Sequence, residues 1–125
     1  MNIPKDLKYT DDHEWVRVEG NVATIGVTDY AQQELGDVVY VDITELDEDL
    51  NQKDVFGSVE AVKTVADLFM PVSGKVIALN EDLESSPEKV NDDPYGAGWM
   101  IKIEMSNPSE LDSLLDAASY EGSIE

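Results

Sequence analysis

Short β-prone runs separated by turn signals are the feature that most constrains this fold. The segments HEWVRVEG and NVATIGV alternate apolar and polar side chains and meet at the turn signal Glu19–Gly20–Asn21. An alternation of period two places one face of a strand on a core. Similar runs follow at short intervals: DVVYVDI, VFGSVEAV, TVADLFM, KVIAL and WMIKIEM. The sequence therefore predicts a mainly β fold, an antiparallel sandwich or flattened barrel with peripheral helices.

Two segments favour helices at the edge of this β body. Asp29 and Gln32 resemble a capping box, and Gly36 is placed to end the short helix that they begin. A second helix is predicted from NPSE, which offers an Asn cap, a Pro for the first turn and a Glu for a capping box. Its apolar side chains fall at i, i+3, i+4 and i+7: Leu111, Leu114, Leu115 and Ala118. We therefore predict one amphipathic C-terminal helix packed on the strands.

Length and composition favour a single domain. The chain has 125 residues, of which 42% are hydrophobic, which suits one core spanning residues 1–125. Cys is absent, so disulfide bonds, thiolate zinc sites and a cysteine nucleophile are excluded. There is no apolar run long enough for a membrane helix, and MNIPKDLKYTDDHEW lacks a secretory apolar region. We expect a cytoplasmic monomer, or a mitochondrial-matrix protein if a targeting segment has been removed.

The charge balance is strongly acidic. Against 8 Lys and Arg there are 28 Asp and Glu, giving a net charge of −20. Because such a surface repels phosphate, we expect neither nucleic-acid binding nor binding to anionic membranes. Two interpretations of the acidity stay open: docking on basic patches of partner proteins, and adaptation to high intracellular salt.

Lys63 lies where the strand alternation changes phase. From 55 to 61 the odd-numbered positions are small or apolar, whereas from 66 to 70 the even-numbered ones are. A change of phase requires a turn or a bulge. Val62–Thr64 has no Gly, Pro, Asn or Asp, but a type I turn tolerates most residues. The pattern thus indicates a hairpin with Lys63 at its tip, and from the pattern alone a lysine there is usually a solvated charge without a function.

The segment GSVEAVKTVADLFMPVSGKV resembles the lipoylation segment of the H proteins of the glycine cleavage system. Four other segments resemble the same family in the same order: HEWVRVEG, ATIGVTDYAQQELGDVVYVDI, NDDPYGAGWMIKI and PSELDSLLDAASYE. The resemblance implies a barrel-sandwich hybrid of antiparallel sheets, as in lipoyl and biotinyl carriers. It also implies that lipoate is attached as an amide to Lys63, with Glu60 and Gly74 as marks for lipoylation.

The resemblance implies a carrier without catalytic activity of its own, since the cofactor supplies the chemistry. Glycine decarboxylase would load the aminomethyl group, an aminomethyltransferase would pass it on, and dihydrolipoyl dehydrogenase would reoxidise the dithiol. A lipoyl transferase or ligase would attach the cofactor. No metal is implied.

The loaded arm ends in a cationic amine, so an acidic cleft to protect it is expected. Glu14 and Asp67 are the candidates, because Asp67 is close to the tip and Glu14 lies in the shared HEW segment. The alternative is that both are ordinary surface acids in a chain that has many. His13 is expected to be a hydrogen-bonded structural residue, and Trp15 and Trp99 to be core aromatics.

Three alternatives to the H-protein interpretation stay open. One is a lipoyl or biotinyl domain of another complex, although biotin acceptors usually have Met on both sides of the lysine, where this chain has Val62 and Thr64. Another is an H-like protein that donates lipoyl groups to other enzymes. The third is a scaffold with an unmodified lysine.

Overall fold

The computed structural model describes residues 2–124, which form two antiparallel sheets edged by short helices. The strands are β1 (Lys8–Tyr9), β2 (Glu14–Glu19), β3 (Val22–Val27), β4 (Val38–Asp42), β5 (Asp49–Leu50), β6 (Val55–Ala61), β7 (Val65–Phe69), β8 (Gly74–Leu79) and β9 (Ile101–Met105). The helices are α1 (Asp29–Leu35), α2 (Asp82–Ser85), α3 (Lys89–Asp92), the 3₁₀ helix η1 (Pro108–Ser113) and α4 (Ala117–Ile124).

The larger sheet has the strand order β1-β2-β3-β9-β8-β5, and the smaller one has the order β4-β6-β7. Every strand pair is antiparallel. The predicted β2–β3 hairpin is confirmed, and Gly20 in its turn has φ 63°, a conformation that glycine adopts without steric cost. The mainly β, two-sheet class predicted from the alternation is therefore confirmed.

Two apolar clusters hold the fold together. The main core lies between the sheets and includes Ile25, Val59 and Ile103, all fully buried. A second, aromatic cluster joins the N-terminal strand to α4 through Tyr9 and Tyr120, whose rings stack at 4.7 Å. Trp15 is fully buried there, as predicted, whereas Trp99 packs against this cluster while only partly buried.

The N-cap of helix α1 lies one residue earlier than the sequence predicts. Thr28, not Asp29, is the N-cap, and its Oγ1 accepts a hydrogen bond from the Ala31 backbone N–H at 3.2 Å. Asp29 is the first helical residue and accepts from the Gln32 side-chain amide at 2.7 Å. The helix ends at Gly36, as predicted, with φ 79°.

The prediction of one continuous C-terminal helix is wrong. The segment is divided into η1 and α4, because Leu115 exchanges two backbone hydrogen bonds with Tyr9, both of 2.8 Å. A residue in such a β-bridge cannot continue a helix, and Leu114 before it is extended. Asn107 makes no side-chain cap, and Ala118 is exposed.

Glu110, predicted to complete that capping box, binds a different segment. Its carboxylate accepts hydrogen bonds from the backbone N–H and the hydroxyl of Ser73, at 2.6 and 2.9 Å. The residue therefore ties η1 to the chain just before β8. A contact of this range, 37 residues along the chain, leaves no trace in local sequence patterns.

Candidate functional site

The β6–β7 hairpin carries Lys63 at its tip, as the change of phase predicts. The Ala61 backbone N–H donates to the Thr64 carbonyl at 2.8 Å and closes the turn around Val62 and Lys63. After the turn, Leu68 and Met70 face the core, as expected. Before it, Val59 and Ala61 do so, but a register shift between Val55 and Gly57 exposes Val55 and buries Phe56 instead.

The tip is fastened to the end of α1. The Val62 backbone N–H donates to the Asp37 carbonyl at 3.0 Å. The exposed Lys63 side chain lies against Gly36, where an added Cβ would stand 3.0 Å from the Lys63 Cε. Because Gly36 also has φ 79°, a larger residue would be strained and would displace the lysine chain. The absence of a side chain at Gly36 thus permits the close approach of the Lys63 side chain.

Asn91 in α3 holds the segment on which the tip rests. Its side-chain amide donates to the Gly36 carbonyl at 2.8 Å and to the Gln32 side chain at 3.1 Å. Its Oδ1 accepts from the Val38 backbone N–H at 2.9 Å. One side chain therefore satisfies backbone groups on both sides of Asp37, the residue that binds the tip.

Glu60 and Gly74 have different surroundings. Glu60 is exposed on β6, directly between Tyr40 of β4 and Val65 of β7. Gly74 is buried and is the first residue of β8. A Cβ on Gly74 would stand 2.5 Å from the Glu104 carbonyl oxygen, which explains the glycine by close strand packing.

Asp67 lines an open groove of about 270 Å³ between α1 and the β6–β7 hairpin. Three carboxylates lie along it: Asp12, Glu34 and Asp67. The rest of its wall is mostly apolar and includes Val27, Ala31, Leu35, Val59, Ala66 and Leu68. Leu35, at the end of α1, lines the groove, and the next residue, Gly36, is the one against which the Lys63 side chain lies. The groove is therefore mostly apolar, with these three carboxylates along it.

Glu14 lies apart from that groove. Its side chain is 1% exposed and borders a second cavity of about 260 Å³, which Asp67 does not line. One carboxyl oxygen accepts from the Phe69 backbone N–H at 2.9 Å and the other from the Thr10 hydroxyl at 3.0 Å. Burial raises the pKa of Glu14 to about 8, although these hydrogen bonds oppose the change. The two predicted cleft acids thus line different cavities.

His13 takes part in a hydrogen-bonded chain at the end of the groove. Its Nδ1 lies 2.9 Å from the Tyr120 hydroxyl, which lies 2.7 Å from Oγ1 of Thr28, the cap of α1. His13 has φ 66°, and burial lowers its pKa. These contacts give it the structural role expected from the sequence.

Sequence reasoning missed three contributors to the site: Asn91, Thr28 and Tyr120. Asn91 lies in the NDDPYGAGW motif, which carried no assigned role. Thr28 precedes Asp29, and Thr is also among the preferred N-cap residues, although it ranks below Asp, so the sequence favoured the wrong one of two adjacent candidates. Tyr120 acts across 107 residues on His13, a separation that no local pattern reveals.

Within residues 2–124 no group of three potential ligands is placed to hold a metal ion. The helices described there are all too short or too polar to cross a membrane. The one ion pair in the described chain joins Lys89 and Asp82 at 3.6 Å, so Lys63 has no carboxylate partner.

The fold and the sequence are similar to those of known proteins. A family model described as "Glycine cleavage H-protein" matches residues 7–125. A "Glycine cleavage system H protein" of Symbiobacterium thermophilum is 58% identical over 120 residues, covering 96% of this chain and 94% of the relative. A protein of the same name from Staphylococcus haemolyticus is 56% identical over 124 residues, covering 99% and 98%. The crystal structure of a glycine cleavage system H protein from Mycobacterium marinum aligns with a TM-score of 0.90 at 35% identity, covering 98% of each chain.

Proposed function

The chain belongs to the glycine cleavage H-protein family, and on that premise we propose that it carries lipoate on Lys63 for the glycine cleavage system. The observation that carries this proposal is the position of Lys63. It is an exposed lysine without an ion pair among the described residues, at the tip of the hairpin whose strands form one wall of an acid-lined apolar groove.

The residues present fit a lipoyl group. An amide on Nζ removes the charge of the lysine, and among residues 2–124 no carboxylate loses an ion-pair partner when that happens. When bound, the dithiolane supplies a disulfide that accepts the aminomethyl group on reduction and is restored by oxidation. The hairpin provides a fixed base, because the Val62 N–H and the Ala61 N–H hold the tip while the side chain stays exposed.

The groove beside the tip supports a resting place for the arm. Its apolar wall, which includes Leu35 and Ala66, suits an aliphatic chain. Asp67 and Glu34 place negative charge along that wall, where a terminal ammonium would be attracted. We assign Asp67 the role of holding the loaded amine.

Glu14 contributes to the same cleft indirectly, through the backbone of β7. It does not line the groove, but it binds the Phe69 N–H, two residues from Asp67 on β7. We assign Glu14 the role of positioning β7 and, through it, the carboxylate of Asp67. Glu60, exposed between two strands, serves as a recognition mark for lipoylation, and Gly74 permits the close packing of β8 on β9 in the other sheet.

The partners follow from the family. Glycine decarboxylase, the aminomethyltransferase and dihydrolipoyl dehydrogenase act on the arm in turn, and a lipoyl transferase or ligase attaches it. The chain acts as a carrier without catalysis of its own. The bacterial origin of both relatives supports a cytoplasmic location.

Intact-mass measurement tests the attachment. We expect native protein to carry one lipoyl adduct, and Lys63→Arg to carry none. Lys75→Arg is the matched control, because Lys75 is an exposed lysine like Lys63 but lies within strand β8 rather than in a turn. An adduct that survives in Lys63→Arg would overturn the proposal.

Activity is tested with purified glycine decarboxylase by exchange of labelled bicarbonate into glycine. Lipoylated protein should support exchange, and Lys63→Arg should not. A lipoylated protein that fails to support exchange would instead favour a donor of lipoyl groups to other enzymes.

The cleft is tested by the rate at which the loaded arm decomposes without partners. Asp67→Asn should accelerate the decomposition, and Ser58→Ala, at the register position opposite Asp67, should leave it unchanged. An unchanged rate in Asp67→Asn would remove the role assigned to that residue.

A further inference from the structure

His13 is the only histidine of the chain, and it lies on the wall of the groove between α1 and the β6–β7 hairpin. Its side chain is half-buried, and its ring lies 4.8 Å from the ring of Tyr30 in α1. The proposed function gives it no role toward the arm. Histidine is the side chain whose ordinary pKa lies closest to neutral pH, so the charge of the groove depends on the form that His13 takes.

A hydrogen-bonded chain links His13 to the cap of α1. Its two middle residues, Tyr120 and Thr28, are fully buried, and each hydroxyl has one proton to donate. Oγ1 of Thr28 accepts from the Ala31 N–H at 3.2 Å and lies 2.7 Å from the Tyr120 hydroxyl. That hydroxyl lies 2.9 Å from Nδ1 of His13. Two hydroxyl protons are therefore shared among three polar atoms in a row.

One distribution of these protons pairs every donor. Thr28 donates to Tyr120, and Tyr120 donates to Nδ1 of His13, which must then be without a proton. A proton on Nδ1 reverses both bonds, because Nδ1–H donates to Tyr120 and Tyr120 donates to Thr28. The Thr28 hydroxyl is then left without an acceptor among its contacts in residues 2–124, which disfavours the protonated ring. Burial of His13 acts in the same direction and lowers its pKa.

Carboxylates share the groove with His13 on three elements: its own loop, α1 and β7. They are those of Asp12, Glu34 and Asp67, and Asp11 lies two residues before His13 in the chain. Asp12, Asp11 and Glu34 favour the charged ring, but burial outweighs them. The other titratable neighbours are two tyrosines and the first residue of β2: Tyr30, Tyr120 and Glu14. A neutral His13 adds no positive charge to oppose the carboxylates of the groove.

We propose that His13 sets the pH range in which the groove retains the loaded arm, an inference that rests on the proposed function. The neutral ring leaves Asp67 and the other carboxylates free to attract the terminal ammonium. The protonated ring places a positive charge on the same wall and repels that ammonium. The loaded arm is therefore held at neutral pH and released when acid protonates the ring. Because the pKa of His13 is lowered, release requires a pH below the ordinary range of histidine.

NMR measures the form of His13 directly, since a chain with one histidine gives one set of imidazole signals. In the unloaded protein at about pH 8 we expect the ¹⁵N shift of an unprotonated Nδ1, and a titration midpoint below the ordinary value. Tyr120→Phe removes the hydroxyl that imposes this form, so the midpoint should move to higher pH. Tyr95→Phe is the matched control and should leave the midpoint unchanged. The Tyr95 hydroxyl also accepts a hydrogen bond at the start of α1, from the Asp29 N–H at 3.0 Å, but lies outside the chain that ends at His13.

Retention is measured by the rate at which the loaded arm decomposes without partners, between about pH 5 and pH 8. His13→Asn is the neutral variant, because Asn tolerates the φ of 66° and its side-chain oxygen can accept from Tyr120. The ratio of the two rates, unsubstituted to variant, cancels the pH dependence of the arm itself and of Glu14. We expect this ratio to rise about threefold towards pH 5, the effect of one added unit charge at a solvated groove. A cooperative thermal transition shows that each variant is folded.

Three results would overturn the inference. They are a proton on Nδ1 of the neutral ring, a titration midpoint that Tyr120→Phe leaves unchanged, and a ratio of decomposition rates that stays constant with pH. Failure of the protein to carry a loaded arm on Lys63 would overturn the proposed function instead. The NMR titration needs no arm, so the two failures are distinguishable.

Discussion

Replacement of the buried Glu14 by Gln should remove one pH-dependent contribution to stability. Gln has the shape of a protonated Glu, so its carbonyl can accept from the Phe69 N–H and its amide can donate to the Thr10 hydroxyl oxygen. The variant therefore keeps the contacts of the carboxyl at 2.9 and 3.0 Å without a titratable group.

The magnitude follows from the pKa of Glu14, which burial raises from 4.5 to about 8 in the folded protein. Between these values the folded state keeps a proton that the unfolded state releases, so the free energy of unfolding falls as pH rises. At pH 7 the loss is about 3 kcal/mol, at pH 8 it is about 4 kcal/mol, and it approaches about 5 kcal/mol above pH 9. Glu14→Gln should match the unsubstituted protein near pH 4.5 and exceed its stability by these amounts at higher pH.

The assay is urea unfolding from pH 5 to 9 at constant salt, followed by the fluorescence of the buried Trp15. Asp67→Asn is the control, because it removes one carboxylate from an exposed position on the strand that Glu14 contacts. It shows how much stability the loss of one exposed charge gives, whereas folded Glu14 keeps its proton below about pH 8, so a gain of Glu14→Gln that grows with pH reports the effect of burial.

Two results would refute this reasoning. One is a difference between the variants that stays constant from pH 5 to 9. The other is a lower stability of Glu14→Gln at pH 8, which would mean that the ionised carboxylate is the better partner for Phe69 and Thr10.

Three further substitutions have predictable effects on the free energy of unfolding. Gly74→Ala should cost about 2–3 kcal/mol, because its Cβ would stand 2.5 Å from the Glu104 carbonyl oxygen and neither backbone can move freely; urea unfolding checks it, and a cost below about 0.5 kcal/mol would contradict it. Asn91→Ala should cost about 2 kcal/mol, since it leaves backbone groups unpaired beside the tip; hydrogen exchange of the Val38 amide should accelerate, and unchanged exchange would count against the role of Asn91. Tyr120→Phe should cost about 1–2 kcal/mol through the lost link to the fully buried Thr28, which thermal unfolding would detect as a lower melting temperature.

The features predicted well from the sequence are those governed by local rules. The β2–β3 hairpin follows from alternation around a Gly that adopts φ 63°. The position of Lys63 follows from the exchange of odd for even buried positions, since period two leaves no other solution than a turn or bulge. Gly36 was predicted as a helix end, which it is, but its second function as the surface on which Lys63 lies depends on a contact between distant segments.

The features that failed depend on such distant contacts. Leu115 has helical spacing with Leu111, yet its pairing with Tyr9, more than 100 residues earlier, ends the helix. Glu14 and Asp67 were predicted as two acids of one cleft, but the fold buries Glu14 and leaves Asp67 exposed. The alternation of β2 gives no sign that its first residue carries a buried carboxyl, because burial of an acid is decided by its partners rather than by its strand.

Because the chain is strongly acidic, added salt can weaken its docking on basic partners and can also raise its stability. In the described chain one ion pair, between Lys89 and Asp82, is formed although the sequence contains 28 acidic residues, so most carboxylates are not neutralised by internal partners. If the acids serve to attract basic partners, salt screens that attraction and slows association. If they are an adaptation to high salt, added salt screens their mutual repulsion and raises stability. The two interpretations can be compared on one protein by measuring the rate of lipoate attachment and the free energy of unfolding over the same range of salt. A slower attachment supports docking on basic partners, and a higher free energy of unfolding supports adaptation to salt.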